Sequence, residues 1–382
     1  MLKGVVDLPL HYGSSPRWLF ERMKKLAQAI SEIIVNEYGT KVLLERLSEP
    51  YWFQSFACVL GFDWHSSGTT TVTLGALKEV FKTSELSQEL AICGGKGKQS
   101  RKTPQEIKTF GERLNLSDRK IKELVRASKL VAKVDNAALQ DGFQLYHHSF
   151  IFTSKGDWAT IQQGMNQELA RRYHWISHPG LNFVCEPHAA VASDIIVKPL
   201  NMVAREAEEA RKISLDLIKE NPSFLRKELK NLNKKRHEKT LTDFAYVSFS
   251  MPGEHFPKIK NFNLNFKAVE KAYQRQPENY EELLLIDGIG PSTVRALALV
   301  SNLIYGSELS WRDPCKYAFA HGGKDGWPYP IDKGRYDKTV SILQVAIRNA
   351  KLGRKEQYAA LERLSKFCNH LEINITKSLK TQ

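Results

Sequence analysis

Phosphodiester hydrolysis needs an activated water and positive charge on the phosphate, and a metal ion held by carboxylates and imidazoles supplies both. The sequence places such groups beside aromatic residues: Asp63-Trp64-His65, Asp141, His147-His148, Asp157-Trp158, His174-Trp175, His178 and Glu186-Pro187-His188. Asp63 and His65, two apart on a polar turn, can converge on one divalent ion, magnesium or manganese. Asp157 and His148 are the accompanying candidate catalytic groups. If residues 146–153 form a strand, His147 and His148 point to opposite faces, so only one of them serves a given site. No zinc-type H-E-x-x-H spacing occurs, and the plain alternative for any one of these residues is a satisfied core or surface position.

A second chemistry is anion binding by bare backbone. Residues 281–286 read as a short helix, 287–290 as a turn and 291–304 as a second helix. Gly288 and Gly290 permit backbone angles that a Cβ opposes, and Ile289 between them can anchor the turn. Amides freed at a helix N-terminus, where the dipole favours an anion, suit a DNA phosphate. Ser292 and Thr293 can donate to that phosphate and Arg295 can add charge. The competing reading is a structural αα-hairpin. Over residues 280–303 the hydrophobic-x-x-hydrophobic-x-Gly-hydrophobic-Gly pattern resembles the helix-hairpin-helix of DNA repair enzymes. That resemblance implies contacts that position a duplex without reading its sequence.

Cys93-Gly94-Gly95-Lys96-Gly97-Lys98 reads as a third phosphate-binding candidate, a loop whose glycines admit an anion while Lys96, Lys98, Arg101 and Lys102 neutralise it. It is not a P-loop: the G-x-x-x-x-G-K-[ST] spacing is missing and Gln99 stands where a magnesium-binding hydroxyl belongs. A flexible basic loop is the alternative. Tyr146, Trp158, Gln162 and Gln163 could present an aromatic and polar sheet face to bases, although core packing explains Trp158 and Tyr146 equally well.

These groups need a scaffold, and the pattern predicts an α+β one. Ser15-Pro16 caps a helix whose apolar residues Leu19, Met23, Leu26, Ile30 and Ile33 recur at helical spacing until Gly39 stops it. Two further helices are expected around 43–47 and 52–60, a strand over the β-branched run 69–74, and a helix capped by Ser117. Residues 146–153 and 158–163 flank Lys155-Gly156-Asp157 and read as a β-hairpin. Residues 181–184 and 195–197 could add strands. From about residue 200 the chain turns helical and charged, with Lys227, Lys230, Lys234, Lys235, Arg236 and Lys239 as a basic stretch or a solvated face. The expected organisation is a mixed α/β catalytic part (1–199), a charged helical bridge (200–262) and a helical part carrying the glycine turn (263–382).

With 56 Lys and Arg against 42 Asp and Glu, and a sequence pI of about 9.4, a polyanionic partner is favoured, nucleic acid before an anionic membrane. Charge alone leaves a generally basic protein as an even alternative. No signal peptide is visible and no apolar run is long enough to span a bilayer. The five cysteines form no C-x-x-C pair, which argues against a disulfide framework or zinc ribbon and suggests a reducing cytoplasm.

Asp7-Leu8-Pro9-Leu10-His11, residues 16–23 (PRWLFERM), 61–68 (GFDWHSSG), the glycine-lysine run at 93–98, Arg101-Lys102-Thr103-Pro104 and residues 319–326 (FAHGGKDG) resemble a prokaryotic domain-of-unknown-function family, number 763. The resemblance implies membership and carries no chemistry. The expectation is thus a cytoplasmic DNA-binding protein acting on duplex or branched DNA, with RNA and oligomerisation left open, and a metal-dependent nuclease in DNA processing or repair. A monofunctional DNA glycosylase using Asp313 is one alternative. There Ser292 replaces a Schiff-base lysine and disfavours lyase chemistry. A non-enzymatic architectural or adaptor protein is the other.

Overall fold

A computed structural model describes residues 17–61, 68–166, 169–229, 264–316, 333–350 and 352–379. Its centre is a five-stranded antiparallel sheet, ordered β1 (Leu90–Lys96), β3 (Gln144–Thr153), β4 (Trp158–Met165), β5 (Ala170–Ile176) and β6 (Ala190–Ser193). A second, two-stranded pair joins β2 (Leu139–Gln140) to β7 (Leu200–Asn201). The mixed α+β class expected from the sequence is what the chain adopts.

Helices cover both faces of the main sheet. On one side lie α1 (Arg17–Tyr38), α2 (Thr40–Ser48), α3 (Pro50–Leu60) and α4 (Gly68–Thr83), which share a core with Leu90, Ile92, Ile151 and Ile161. On the other lie α5 (Thr103–Arg113), α6 (Asp118–Lys133) and α7 (Glu208–Lys219), packed with Cys93, Phe150, Phe152, Tyr173 and Trp175. Alternate residues of one strand therefore feed two different cores, as the period of two requires. The later helices α8 (Phe266–Arg275), α9 (Tyr280–Leu285) and α10 (Pro291–Tyr305) belong to the second core. Helices α11 (Lys333–Asn349) and α12 (Arg354–Leu379) add Leu343, Ile347 and Leu364 to the first.

Local signals account for several elements. Ser117 caps α6 by accepting from the Lys120 amide at 3.3 Å, and Gly39, at φ +87°, follows α1. The expected β-hairpin forms with Phe152 opposite Trp158. Three expectations fail. Residues 69–74 lie in α4, because Thr69, Thr70, Thr73, Leu74 and Leu77 make one buried helical face; tertiary burial overrides β-branched propensity. The glycine-lysine segment begins as strand β1 and continues as a 3-10 turn at Gly97–Lys102. Residues 181–184 and 195–197 are not strands.

Cys58, Cys93, Cys185 and Cys315 are free thiols. Among the described residues no helix is long and apolar enough to cross a membrane.

Candidate nucleic-acid interface and polar cleft

Gly94 explains why the glycine-lysine segment becomes a strand. Its φ is +89°, and a Cβ there would lie 2.2 Å from the His148 carbonyl oxygen and 2.5 Å from Thr103 Oγ1. Only a residue without a side chain lets β1 approach β3 at this point. Glu106 on α5 secures it by accepting from the Gly94 amide at 2.7 Å, and Lys78 bridges the Gly94 carbonyl and the Glu106 carboxylate at 2.7 Å each. The strand then delivers Lys96, Lys98, Arg101 and Lys102 to solvent, all four exposed. Lys96 Nζ lies 6.0 Å from the centre of the Tyr146 ring.

The glycine turn forms as the sequence predicts: α9 and α10 are joined through Ile286–Gly290, with Ile289 fully buried. Gly288 has φ +91° and sits against α8, where a Cβ would meet Ala268 Cβ at 2.8 Å. Gly290 is extended, at φ −140°, and has open space where a Cβ would stand. The turn is fastened to α6 and β2 by its carbonyls. Lys133 Nζ donates to the Ile289 oxygen at 2.5 Å and Gln140 Nε2 to the Pro291 oxygen at 2.9 Å. Burial lowers the Lys133 pKa, with Asp287 opposing the shift. The amides of Gly288, Gly290 and Ser292 donate to no acceptor among the described residues, and Gly288 and Ser292 are exposed.

Two neighbours expected to help hold a phosphate are not available to it. Arg295 is buried and its Nε donates to Gln140 Oε1 at 2.9 Å, and Thr293 is 1% exposed. In both cases the second helix turns these positions toward the protein, one turn inside its start.

A cleft of about 620 Å³ lies between these two segments. The basic loop contributes Ser100, Arg101 and Thr103, and the glycine turn contributes Asp287 with Leu285 just before it. Between them α6 supplies Ser128, Lys129 and Lys133, and the sheet supplies Tyr146, His147, His148 and Gln162. Arg101 and Lys129 are exposed there and form no ion pair among the described residues.

The floor of the cleft is a connected polar network. Ser128 Oγ lies 2.9 Å from His148 Nε2, and His148 Nδ1 lies 2.7 Å from Gln162 Oε1. Gln162 Nε2 donates to Asp135 Oδ2, which also accepts from Trp175 Nε1 at 2.9 Å. Asp135 Oδ1 takes a hydrogen bond from His188 Nε2 at 2.5 Å. Asp135 is fully buried on the π-helical turn Val134–Ala138 that ends α6. Burial lowers the His148 pKa, and Gln162 and Asp135 pull the other way. His147 also borders the cleft, but its ring lies on the alternate face of the strand and bonds Ser149 Oγ at 2.8 Å. Its pKa is pushed down to about 3 by burial, with His148, Lys96 and Lys78 adding to the shift.

Other expected site residues are not gathered here. Asp63 and His65 lie outside the described residues, as does the basic stretch from Lys230 to Lys239. Asp157 sits in the β3–β4 turn, beyond the Phe152–Trp158 pair, whereas His148 stands opposite Gln162. At about 3.4 Å per residue the two are more than 10 Å apart along the strand, so they do not share a site. Trp158 is stacked between Phe150 and Phe183 and offers no face to a base. Among the described residues no cluster of three or more His, Cys, Asp or Glu side chains could hold a metal. Asp313 is committed elsewhere: its Oδ2 accepts from Arg171 Nη2 at 2.7 Å and the Val197 amide at 2.8 Å, and its Oδ1 from the Cys315 amide at 2.9 Å. Asp141 completes that pair from the other side, 3.0 Å from Arg171 Nη1. The aspartate of the glycosylase alternative is thus held in a buried ion pair with Arg171.

Ser128, Asp135, Lys129 and Lys133 were not singled out from the sequence. The signal was present: Ile121, Leu124, Ser128, Val131 and Asp135 fall on one helical stripe, and two of its five members are polar.

A family model described as "Protein of unknown function (DUF763)" matches residues 4–331. No curated protein and no solved structure matches the chain.

Proposed function

The chain belongs to the family described as protein of unknown function DUF763, and from that premise we propose that it binds nucleic acid through the sugar-phosphate backbone, with DNA as the target. One observation carries the reading. Two anion-binding candidates almost two hundred residues apart in sequence, the basic loop at Arg101 and the glycine turn at Asp287, wall the same cleft. Arg101 and Lys129 offer charge at its mouth, and open amides at Gly288, Gly290 and Ser292 offer donors beside it. Such an arrangement holds one strand by its phosphates and reads no bases. It acts as a helix-hairpin-helix does, supported here by a second basic element.

Gly290→Asp tests this. The position has room for a side chain, so the fold is retained while a carboxylate is set among the amides. Anisotropy with a labelled duplex should show at least a tenfold loss of affinity at moderate salt. Unchanged affinity removes the turn from the binding surface. Incubation of single-stranded, duplex and branched DNA with magnesium, manganese or chelator then tests metal-dependent cleavage through Asp63 and His65. Cleavage that survives Asp63→Asn with His65→Ala ends that assignment.

A further inference from the structure

Ser128 departs from the habit of serines inside helices. Ser48, Ser55, Ser214 and Ser301 each donate to the carbonyl four residues back, at 2.6–2.8 Å, the usual outlet for a helical hydroxyl. Ser128 Oγ instead faces His148 Nε2 at 2.9 Å, at the wall of a cleft.

The direction of that hydrogen bond follows from Asp135. A carboxylate of this kind only accepts, so the Gln162 group facing it is the NH₂. Gln162 Oε1 then faces His148 Nδ1, which must carry the proton. Nε2 is left with its lone pair, and Ser128 must donate to it. A hydroxyl, an unprotonated imidazole nitrogen and a group that fixes the tautomer stand in sequence, which is the arrangement of an activated nucleophile. Burial keeps the imidazole neutral, and Arg101 and Lys129 supply positive charge at the cleft.

We propose that Ser128 is a nucleophile toward a phosphodiester held in this cleft, with His148 as its general base and Gln162 and Asp135 as positioning residues. For its substrate the proposal rests on the nucleic-acid reading above. The Oγ–P bond forms as the bond from phosphorus to one bridging ester oxygen breaks. The Ser128 proton passes to His148 Nε2 and on to the departing alkoxide. Water then attacks the phosphoserine, its proton going to Nε2 and from there to Oγ as the Oγ–P bond breaks. The net change is one diester and one water converted to a phosphate monoester and an alcohol.

The experiment treats the full chain with diisopropyl fluorophosphate in excess chelator and follows intact mass and peptide mapping, with duplex binding measured in parallel. In this probe the P–F bond breaks, fluoride leaves and the proton goes to Nε2. One adduct is expected, at Ser128, absent in Ser128→Ala and formed at least about 100-fold more slowly in His148→Gln, the scale of general-base assistance. Ser128→Cys, which keeps a nucleophile, should still be labelled. Chelator-resistant DNA cleavage lost in Ser128→Ala supports the strand as substrate. A protein that binds duplex but takes no label at Ser128 overturns the proposal and leaves the interface reading standing. Label at Ser128 without duplex binding overturns the interface reading, and the strand as substrate with it.

Discussion

Asp135 sets the protonation of His148 although the two side chains do not touch: Gln162 stands between them, donating to the Asp135 carboxylate and presenting its oxygen to His148 Nδ1 at 2.7 Å. An amide has two chemically different ends, so a carboxylate at one end dictates what faces the other. The imidazole therefore carries its proton on Nδ1. Asp135→Asn removes that dictation, because an asparagine can present either oxygen or nitrogen to Gln162. Imidazole ¹⁵N spectra should show a single Nδ1–H tautomer in the wild type and a mixture in the variant. The variant should also lose about 1–3 kcal/mol of stability, the cost of an imperfectly paired buried donor. A wild-type spectrum with the proton on Nε2 would refute the orientation derived for the whole network.

The approach of β1 to β3 predicts a sharp contrast between two glycines. At Gly94 an added Cβ collides with backbone at 2.2 Å, whereas Gly97, also at positive φ (+57°), has nothing within 4 Å. Gly94→Ala should cost about 2–5 kcal/mol, combining left-handed strain of about 1–2 with overpacking of about 1–3. Gly97→Ala should cost only the strain. Urea midpoints decide it, and equal losses at both positions would mean that close strand contact is not what selects Gly94.

Buried histidines predict acid sensitivity. His147 is held down to about 3 and His148 and His174 are lowered too, all chiefly by burial, with Lys78, Lys96 and Arg172 adding repulsion at His147 and His174. Above the ordinary value of 6.5 both folded and unfolded chains leave these rings neutral, so they do not affect stability there. Below it the unfolded chain takes up protons that the folded chain refuses. Stability from His147 is therefore lost as pH falls from about 6.5 toward about 3, by up to about 1.4 kcal/mol per pH unit, and His148 and His174 add losses in the same direction. His147→Gln should flatten the profile by about one proton. A variant profile as steep as the wild type over that window would show that His147 is protonated in the fold.

The elements that depend on neighbours in sequence were legible, and those that depend on distant packing were not. The β-hairpin around Lys155-Gly156-Asp157, the cap at Ser117 and the glycine turn all announce themselves within a few residues. The threonine run at 69–73 does not, because its helical burial pattern emerges only when Leu74 and Leu77 are counted with it. β1 looks like a loop because Gly94 answers to Glu106 and to the His148 carbonyl, neither of them nearby in sequence. For the site, His148 and Arg101 could be nominated from residue type. Ser128 and Asp135, linked to His148 directly and through Gln162, are common residues whose meaning lies in occupying apolar positions of α6 and of the π-helical turn that ends it.

Charge at the cleft makes the most specific forecast for binding. Each phosphate neutralised by a basic side chain releases counterions and adds about 0.9 to the salt slope on B-form DNA. Arg101 and Lys129 are exposed at the cleft without ion pairs among the described residues, so each is free to meet a phosphate. Arg126 on the same helix is different, since its guanidinium is paired with Glu281 at 2.7 Å. Arg101→Ala and Lys129→Ala should each reduce the slope of log affinity against log salt by about 1, with similar losses on unrelated duplex sequences. Arg126→Ala should change the slope by much less. Arg295→Ala should lower stability through its lost bond to Gln140 and leave the slope unaltered. Anisotropy titrations of the four variants between low and moderate salt separate these cases. Slopes unchanged by Arg101→Ala and Lys129→Ala would move the contact surface away from the cleft.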